Sequence, residues 1–274
     1  MAYEHPGDGA LDYLPCRYGT SKLLFRGPRR RLDGPYCALL GGSETYGKHV
    51  RAPYPALLEA ELGKVMVNFG YMNAGADMFL NEPVILDACN QARVTVVQLL
   101  GAHNMSNRFY AVHPRRNDRF LRASALMKTI FPEVDFTEFH FTRHMLLALK
   151  HRAPEKYALV ESELKAAWVA RMRLLLQKIT GRSVLLWVGD HHPDGAARDD
   201  LGHDPLLVDV GMVDAVRPFA TDFVRVTPSP AACAAGTRGM AFGLLEAPAA
   251  AQLPGPAVHE EVASALAPVL KRYL

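Results

Sequence analysis

Residues 36–47 read Tyr36-Cys-Ala-Leu-Leu-Gly-Gly-Ser-Glu-Thr-Tyr-Gly47, a short apolar run that stops at two glycines. A helical pattern follows at residues 54–62. Farther along the chain the alternation recurs, with apolar runs at 65–68 and 94–100 and a helical pattern at 83–92 between them. Short β-rich runs separated by helical segments predict a parallel sheet with right-handed crossovers, buried on both faces.

The second half of the chain returns to this alternation. It predicts a long helix from Glu155 to Ile179, strands at 183–188 and 223–226, and a closing helix at 258–273. The apolar stripe of the long helix is predicted to contain Leu159, Leu164, Trp168, Met172 and Leu175. We therefore expect an α/β fold, a three-layer α/β/α arrangement around a five-stranded parallel sheet of the flavodoxin-like type.

The sequence predicts one main domain over residues 36–274. Residues 1–35 are rich in Gly, Pro and Arg, which break helix and strand periodicity, so they are predicted to form an N-terminal arm. Residues 103–155 interrupt the alternation with an arginine- and aromatic-rich stretch. We expect this insertion to lie over the edge of the sheet where the strands have their carboxyl ends.

The composition is that of a globular protein: 49% of the 274 residues are hydrophobic and 22% are charged, which excludes a disordered chain or a coiled coil. The formal charge of +3 is too balanced to favour a nucleic-acid partner.

The N-terminus lacks a secretory signal and no long apolar run is present, so we expect a cytoplasmic protein without a membrane span. The four cysteines have no paired spacing, and no cofactor or metal is expected.

The ends of the first three predicted strands carry polar and glycine-rich sequences. They read Gly41-Gly-Ser-Glu-Thr-Tyr-Gly47, Asn68-Phe-Gly-Tyr-Met-Asn-Ala-Gly75 and Gly101-Ala-His-Asn104. Taken in this order, they resemble the sequence blocks of the SGNH (GDSL-like) hydrolase superfamily. Across its full length, the chain also resembles an uncharacterised bacterial family marked by the first block and by Val112-His-Pro-Arg-Arg-Asn-Asp-Arg119.

The SGNH resemblance implies acyl transfer by a serine, with an oxyanion held by N–H donors. It implies that Ser43 is the nucleophile and that its own N–H is one oxyanion donor, with the Asn104 side-chain amide as another. The position that is often glycine in the superfamily falls on Asn73. Gly75 and Gly70 are the two glycines that could provide the middle donor, and Gly75 is preferred.

The base that a serine needs departs from the superfamily pattern. If His259 is matched to the later histidine of the D-x-x-H-L-x-x-x-G-H pattern, Gln252 and Ala249 fall where the base and the acid should be. Gly42 also replaces the aspartate of the first block. Three histidines remain as alternatives, namely His259, His191 within Asp190-His-His-Pro-Asp194, and His103.

The insertion holds Arg108, Arg115, Arg116 and Arg119, which are candidates to bind an anion because guanidinium groups bind carboxylate and phosphate in a bidentate manner. The alternative is that Arg115, Arg116 and Arg119 pair with the nearby acids Glu133, Asp135 and Glu138. His140 and His144 and the histidine- and aspartate-dense stretch at 190–204 lack a fixed ligand spacing, so a metal site is disfavoured.

Together these patterns predict an SGNH-like serine hydrolase or acyltransferase that acts on an ester of a polar, anionic carbohydrate or lipid. The alternative is a catalytically inactive protein of the same fold that binds an anionic ligand or a partner protein. A third reading is an assembly subunit that contacts another protein, or a second copy of the chain, through the N-terminal arm.

Overall fold

The computed structural model describes residues 11–189, 201–202 and 204–274. Its centre is a five-stranded sheet in the order β2-β1-β3-β6-β7, and every neighbouring pair in it is parallel. The two remaining strands, β4 and β5, form an antiparallel hairpin. The strands are β1 (Tyr36–Gly41), β2 (Val65–Gly70), β3 (Val94–Gln98), β4 (Tyr110–His113), β5 (Arg116–Ala123), β6 (Ser183–Val188) and β7 (Asp222–Val226).

Helices cover both faces of the sheet. They are α1 (Ser43–Tyr46), α2 (Tyr54–Leu62), α3 (Ala76–Leu80), α4 (Pro83–Gln91), α5 (Ala125–Ile130), α6 (Thr142–Arg152), α7 (Pro154–Lys178), α8 (Val210–Val216), α9 (Pro230–Ala235), α10 (Ala247–Ala250) and α11 (Pro256–Lys271). Short 3₁₀ turns lie at Phe136–Glu138, Arg217–Phe219 and Leu244–Glu246.

Alternate residues of β1 enter two separate hydrophobic clusters. Leu39 packs in the cluster that contains Leu58 of α2 and Leu266 of α11. Leu40 packs in the cluster that contains Ile85 of α4 and Trp168 of α7. Because successive side chains of a strand point to opposite faces, this division is what a three-layer sandwich requires. The predicted α/β/α fold with a five-stranded parallel sheet is confirmed.

The long helix α7 has nearly the predicted bounds, but the residues that are buried in its first two turns are not the predicted ones. Leu159 is 56% exposed, so its assignment to the stripe was wrong. Tyr157 and Val160 are buried instead. These two residues continue the spacing of three or four residues that leads to Leu164, whereas Leu159 lies about 100° around the helix from Val160.

Residues 11–35 pack on the domain. Leu23 and Phe25 are fully buried in the same cluster as Leu40. The buried guanidinium of Arg26 donates to the carbonyl oxygens of Tyr46, Gly47, Val50 and Arg51 at 2.5 to 3.2 Å. This side chain therefore joins the first segment of the chain to the loop that follows α1.

Candidate functional site

Ser43 is the first residue of α1, directly after β1, and it meets the loop that follows β2. Its Oγ accepts a hydrogen bond from the backbone N–H of Asn73 at 3.2 Å and donates to Asn73 Oδ1 at 3.5 Å. Asn73 has φ +55°, in the left-handed region that asparagine tolerates better than most residues. This turn directs both the N–H and the side chain of Asn73 to the serine hydroxyl.

The third loop reaches the same place through Asn104. Its side chain is buried, Nδ2 donates to the carbonyl oxygen of Asn73 at 3.2 Å, and Oδ1 accepts from Thr142 Oγ at 2.9 Å. Because β1 lies between β2 and β3 in the sheet, the loops that follow these three strands start side by side. The structure therefore brings Ser43 and Asn104 together, as candidate site residues from two different strand ends.

The two candidate glycines have other hydrogen-bond partners. The N–H of Gly75 donates to Asn117 Oδ1 at 2.9 Å, and that of Gly70 donates to Asn68 Oδ1 at 2.8 Å. A Cβ on Gly75 would lie 1.6 Å from the carbonyl oxygen of Asn104, so only glycine allows this approach. Among the three positions considered in this loop, Asn73 has the N–H that contacts Ser43 Oγ.

The β4–β5 hairpin contributes two residues that the sequence did not indicate as site residues. Val112 pairs with Phe120 and His113 with Arg116, so residues 117–119 bulge out without partners on β4. Asn117 holds the Gly75 N–H, and Asp118 Oδ2 accepts from Asn73 Nδ2 at 3.3 Å. The available signal is the run Arg-Arg-Asn-Asp-Arg at 115–119, which is part of the segment that marks the uncharacterised family and whose arginines alone are candidate site residues.

Behind Ser43, the side chain of Glu44 belongs to a chain of hydrogen bonds. Gln98 Nε2 donates to Glu44 Oε2 at 2.7 Å, while Gln98 Oε1 accepts from the Gly42 N–H at 3.0 Å and from Thr45 Oγ at 2.6 Å. Burial raises the pKa of the Glu44 carboxyl, and the nearby Asp204 carboxylate raises it further. A Cβ on Gly42 would lie 2.9 Å from Glu44 Oε2, so this carboxyl group occupies the space beside residue 42.

His259 lies on α11 and is buried against Tyr54 at the start of α2. It is 2% exposed, its Nδ1 accepts from the backbone N–H of Tyr54 at 3.1 Å, and its ring stacks on the Tyr54 ring. Burial, together with the positive charge of Arg26, lowers the pKa of His259 to about 3. The imidazole is therefore neutral at physiological pH and already serves as an acceptor for α2.

His103 is also buried, and its Nδ1 has no hydrogen-bond partner within the described ranges. Burial lowers the pKa of His103 to about 4, although the nearby Asp204 carboxylate opposes the shift. His191 lies outside the described residues. Among those that are described, both hydrogen bonds of Ser43 Oγ go to Asn73, and none goes to a histidine.

The four candidate anion-binding arginines occupy different surroundings. Arg108 forms an ion pair with Glu163 of α7 at 2.7 Å. Arg115 and Arg116 are exposed at the tip of the hairpin, whereas Arg119 stacks on Phe141, with 4.4 Å from its Cζ to the ring centroid. The acids proposed as alternative partners for three of these arginines are engaged elsewhere: Glu133 pairs with Lys156, Glu138 pairs with Arg152, and Asp135 caps a 3₁₀ turn.

In residues 11–189, 201–202 and 204–274 no three His, Cys, Asp or Glu side chains group closely enough to hold a metal ion. In the same ranges, no helix combines the length and the apolar character needed to cross a membrane.

Comparison with known proteins places the chain in a family. The family described as Domain of unknown function (DUF6473) matches residues 1–274. The chain belongs to this family. No curated protein matches the sequence. Among solved structures, it is similar to the crystal structure of the lipase Lip_vut3 from a goat rumen metagenome, with a TM-score of 0.44, 12% identity, and coverage of 85% of this chain and 97% of that chain.

Proposed function

We propose that this protein is an SGNH-like serine hydrolase or acyltransferase, with Ser43 as its nucleophile and an ester of a polar, anionic carbohydrate or lipid as its substrate. One observation carries the proposal. The loops after three adjacent parallel strands meet at the Ser43 hydroxyl, where Asn73 contacts Oγ and Asn104 contacts Asn73. Ligands of open α/β sheets bind at this edge, outside the carboxyl ends of the strands.

In the proposed reaction, Ser43 Oγ attacks the ester carbonyl carbon while its proton passes to a base. The carbonyl oxygen becomes an oxyanion, which the N–H groups of Ser43 and Asn73 and the Asn104 amide stabilise. Collapse of this tetrahedral intermediate expels the alcohol, which takes up the proton, and leaves an acyl-serine. Water then releases the acid in the hydrolase, or a second hydroxyl accepts the acyl group in the transferase.

We assign the base to His191, which follows β6 in the sequence. His259 is the weaker candidate because its Nδ1 already accepts from Tyr54 and because burial lowers its pKa to about 3. His103 is neutral for the same reason, and it lies next to Asn104 in the chain. In both histidines the depressed pKa disfavours the imidazolium that a base must form during attack.

Labelling with a fluorophosphonate probe tests the proposal, because this reagent reacts with activated serines. We expect the wild type to be labelled, the Ser43→Ala variant to resist labelling, and the Ser264→Ala variant, which changes an exposed helical serine, to be labelled like the wild type. His191→Ala is expected to reduce the labelling rate strongly, and His259→Asn to leave it nearly unchanged. A folded wild-type protein that is not labelled would contradict the proposal.

A non-catalytic binding protein is the second candidate, and one observation favours it. Within the described residues Ser43 Oγ contacts Asn73 and no histidine, so no base is in place there. In that case Ser43 would bind a ligand as a hydroxyl group without being acylated. The absence of labelling in the folded wild type, together with ligand binding that Ser43→Ala weakens, would favour this second function.

A further inference from the structure

Arg119 lies at the end of the bulge that supplies Asn117 and Asp118 to the site. We propose that its guanidinium recognises an anionic group, a carboxylate or a phosphate, on the molecule that binds at Ser43. This inference rests on the proposed function for the statement that the bound molecule is an ester substrate. The recognition itself is a property of Arg119 and does not depend on catalysis.

The backbone around Arg119 is fixed next to the candidate site. Arg119 and Phe141 form an antiparallel bridge, and the Phe120 N–H donates to the His140 carbonyl oxygen at 3.0 Å. Thr142, the residue after Phe141, donates to Asn104 Oδ1. On the other side, Asp118 contacts Asn73, which contacts Ser43 Oγ. Arg119 therefore follows Asp118, which contacts the polar cluster around Ser43, and it pairs with Phe141, which precedes Thr142 of the same cluster.

The side chain of Arg119 is held by an aromatic ring, and no carboxylate among the described residues pairs with it. Its guanidinium stacks on the Phe141 ring, and its Nε is buried and has no hydrogen-bond partner among the described residues. A buried donor without an acceptor is costly in a folded protein and calls for a ligand or another explanation. Stacking orders the planar group in advance, so that two parallel N–H donors can face a carboxylate or phosphate.

The surrounding charges favour anion binding at Arg119 over anion binding at the other three candidate arginines. Arg108 is already paired with Glu163, whereas Arg115 and Arg116 are exposed at the tip of the same hairpin and add positive potential. Within the described ranges Arg119 forms no ion pair. Glu133 and Glu138, two acids of the insertion, are paired with lysine and arginine on α6 and α7. Arg119 therefore has a stacked guanidinium that forms no ion pair with any residue that the structure describes.

Binding is measured first, because it does not require catalysis. Inorganic phosphate and glutarate are titrated by calorimetry into the wild type, Arg119→Gln, Arg119→Lys and Arg122→Gln, the last of which changes an exposed arginine on the same strand. We expect at least one anion to bind the wild type. Binding should weaken about 10-fold or more in Arg119→Gln and by a smaller factor in Arg119→Lys, which keeps the charge but loses the planar fork.

The rates of ester hydrolysis then test whether Arg119 contacts the substrate. p-Nitrophenyl butyrate is neutral, and mono-p-nitrophenyl glutarate carries a carboxylate at the far end of its acyl chain. We expect the wild type to favour the anionic ester in kcat/KM, and Arg119→Gln to lose most of this preference through KM while Arg122→Gln keeps it. Tighter binding of phosphate than of glutarate would indicate that Arg119 recognises a phosphate group of the substrate. Tighter binding of glutarate would indicate that it recognises a carboxylate.

The outcomes separate this inference from the proposed function. Anion binding that depends on Arg119, in a protein that does not hydrolyse either ester, would refute the hydrolase and support the recognition. Ester hydrolysis without anion binding, or with binding that Arg119→Gln leaves unchanged, would support the hydrolase and overturn the role of Arg119. Circular dichroism of Arg119→Lys and Arg119→Gln establishes that both variants are folded before either result is interpreted.

Discussion

Acidification should destabilise this fold through His259, and His259→Asn should remove that part of the pH dependence. The folded state holds the imidazole in its neutral form, with the pKa lowered from 6.5 to about 3 by burial and by Arg26. The unfolded chain binds the proton near pH 6.5. The stabilisation is therefore complete above pH 6.5 and is lost as the pH falls from 6.5 toward 3.

The magnitude follows from these two pKa values. Between pH 7.5 and pH 5.0 the unfolded state gains almost a full proton at this residue, whereas the folded state gains almost none, so the free energy of unfolding falls by about 2 kcal/mol. Asparagine does not titrate, and its Oδ1 can accept the Tyr54 N–H in place of Nδ1. His103, whose pKa is also lowered by burial, adds a similar loss in both proteins. The wild type and His259→Asn therefore differ in how much unfolding free energy they lose on acidification, and this difference comes from His259 alone.

Urea denaturation at pH 7.5 and pH 5.0 measures this difference in the wild type, in His259→Asn, and in His140→Asn, a control at an exposed histidine. The wild type and the control should each lose about 2 kcal/mol more than His259→Asn between the two pH values. Equal losses in all three proteins would show that His259 titrates normally in the fold. Loss of fluorophosphonate labelling in a folded His259→Asn protein would show instead that this residue participates in the reaction.

Three further substitutions test contacts around the site. Gly75→Ala places a methyl group against the Asn104 carbonyl oxygen and should cost about 3 kcal/mol in urea unfolding, the upper end of the usual range for overpacking; a near-neutral effect would show that the two loops are not in contact. Asn117→Ala leaves the Gly75 N–H without its acceptor and should cost about 1 to 3 kcal/mol, with faster amide exchange at Gly75; unchanged exchange would contradict the contact. Arg26→Met removes four hydrogen bonds to carbonyl groups at 46–51 and should lower the melting temperature by several degrees, whereas an unchanged melting temperature would refute this role.

The sequence predicted the central strands of the sheet because β1 and β6 are buried along their whole length and therefore read as mainly apolar runs. β6 was predicted at 183–188 and has these bounds, and α2 was predicted at 54–62 and has these bounds. Leu159 was misassigned because an apolar residue on a long helix is not necessarily buried. Its exposure depends on which neighbouring elements cover the first turns, and a periodicity cannot show this.

The sequence could predict only those site residues whose position follows from the order of the strands in the sheet. Ser43 and Asn104 follow adjacent parallel strands, so the order of the strands brings them to one edge. Asn117 and Asp118 reach that edge because residues 117–119 bulge out of the β4–β5 pairing, where Asn117 accepts from Gly75 and Asp118 from Asn73. No local pattern encodes this long-range contact, and the sequence assigns a role in the site only to the arginines of this run.

The position of Arg26 has a practical consequence for limited proteolysis. Arg29 and Arg31 are exposed just beyond it, and trypsin can cleave after both. Cleavage there would cut the peptide bond between the N-terminal segment and the part of the chain that begins with β1. Leu23, Phe25 and Arg26 would nevertheless remain buried against the domain. Nicked protein should therefore run as two fragments in a denaturing gel and elute as one particle from a sizing column, with Ser43 still surrounded by its loops.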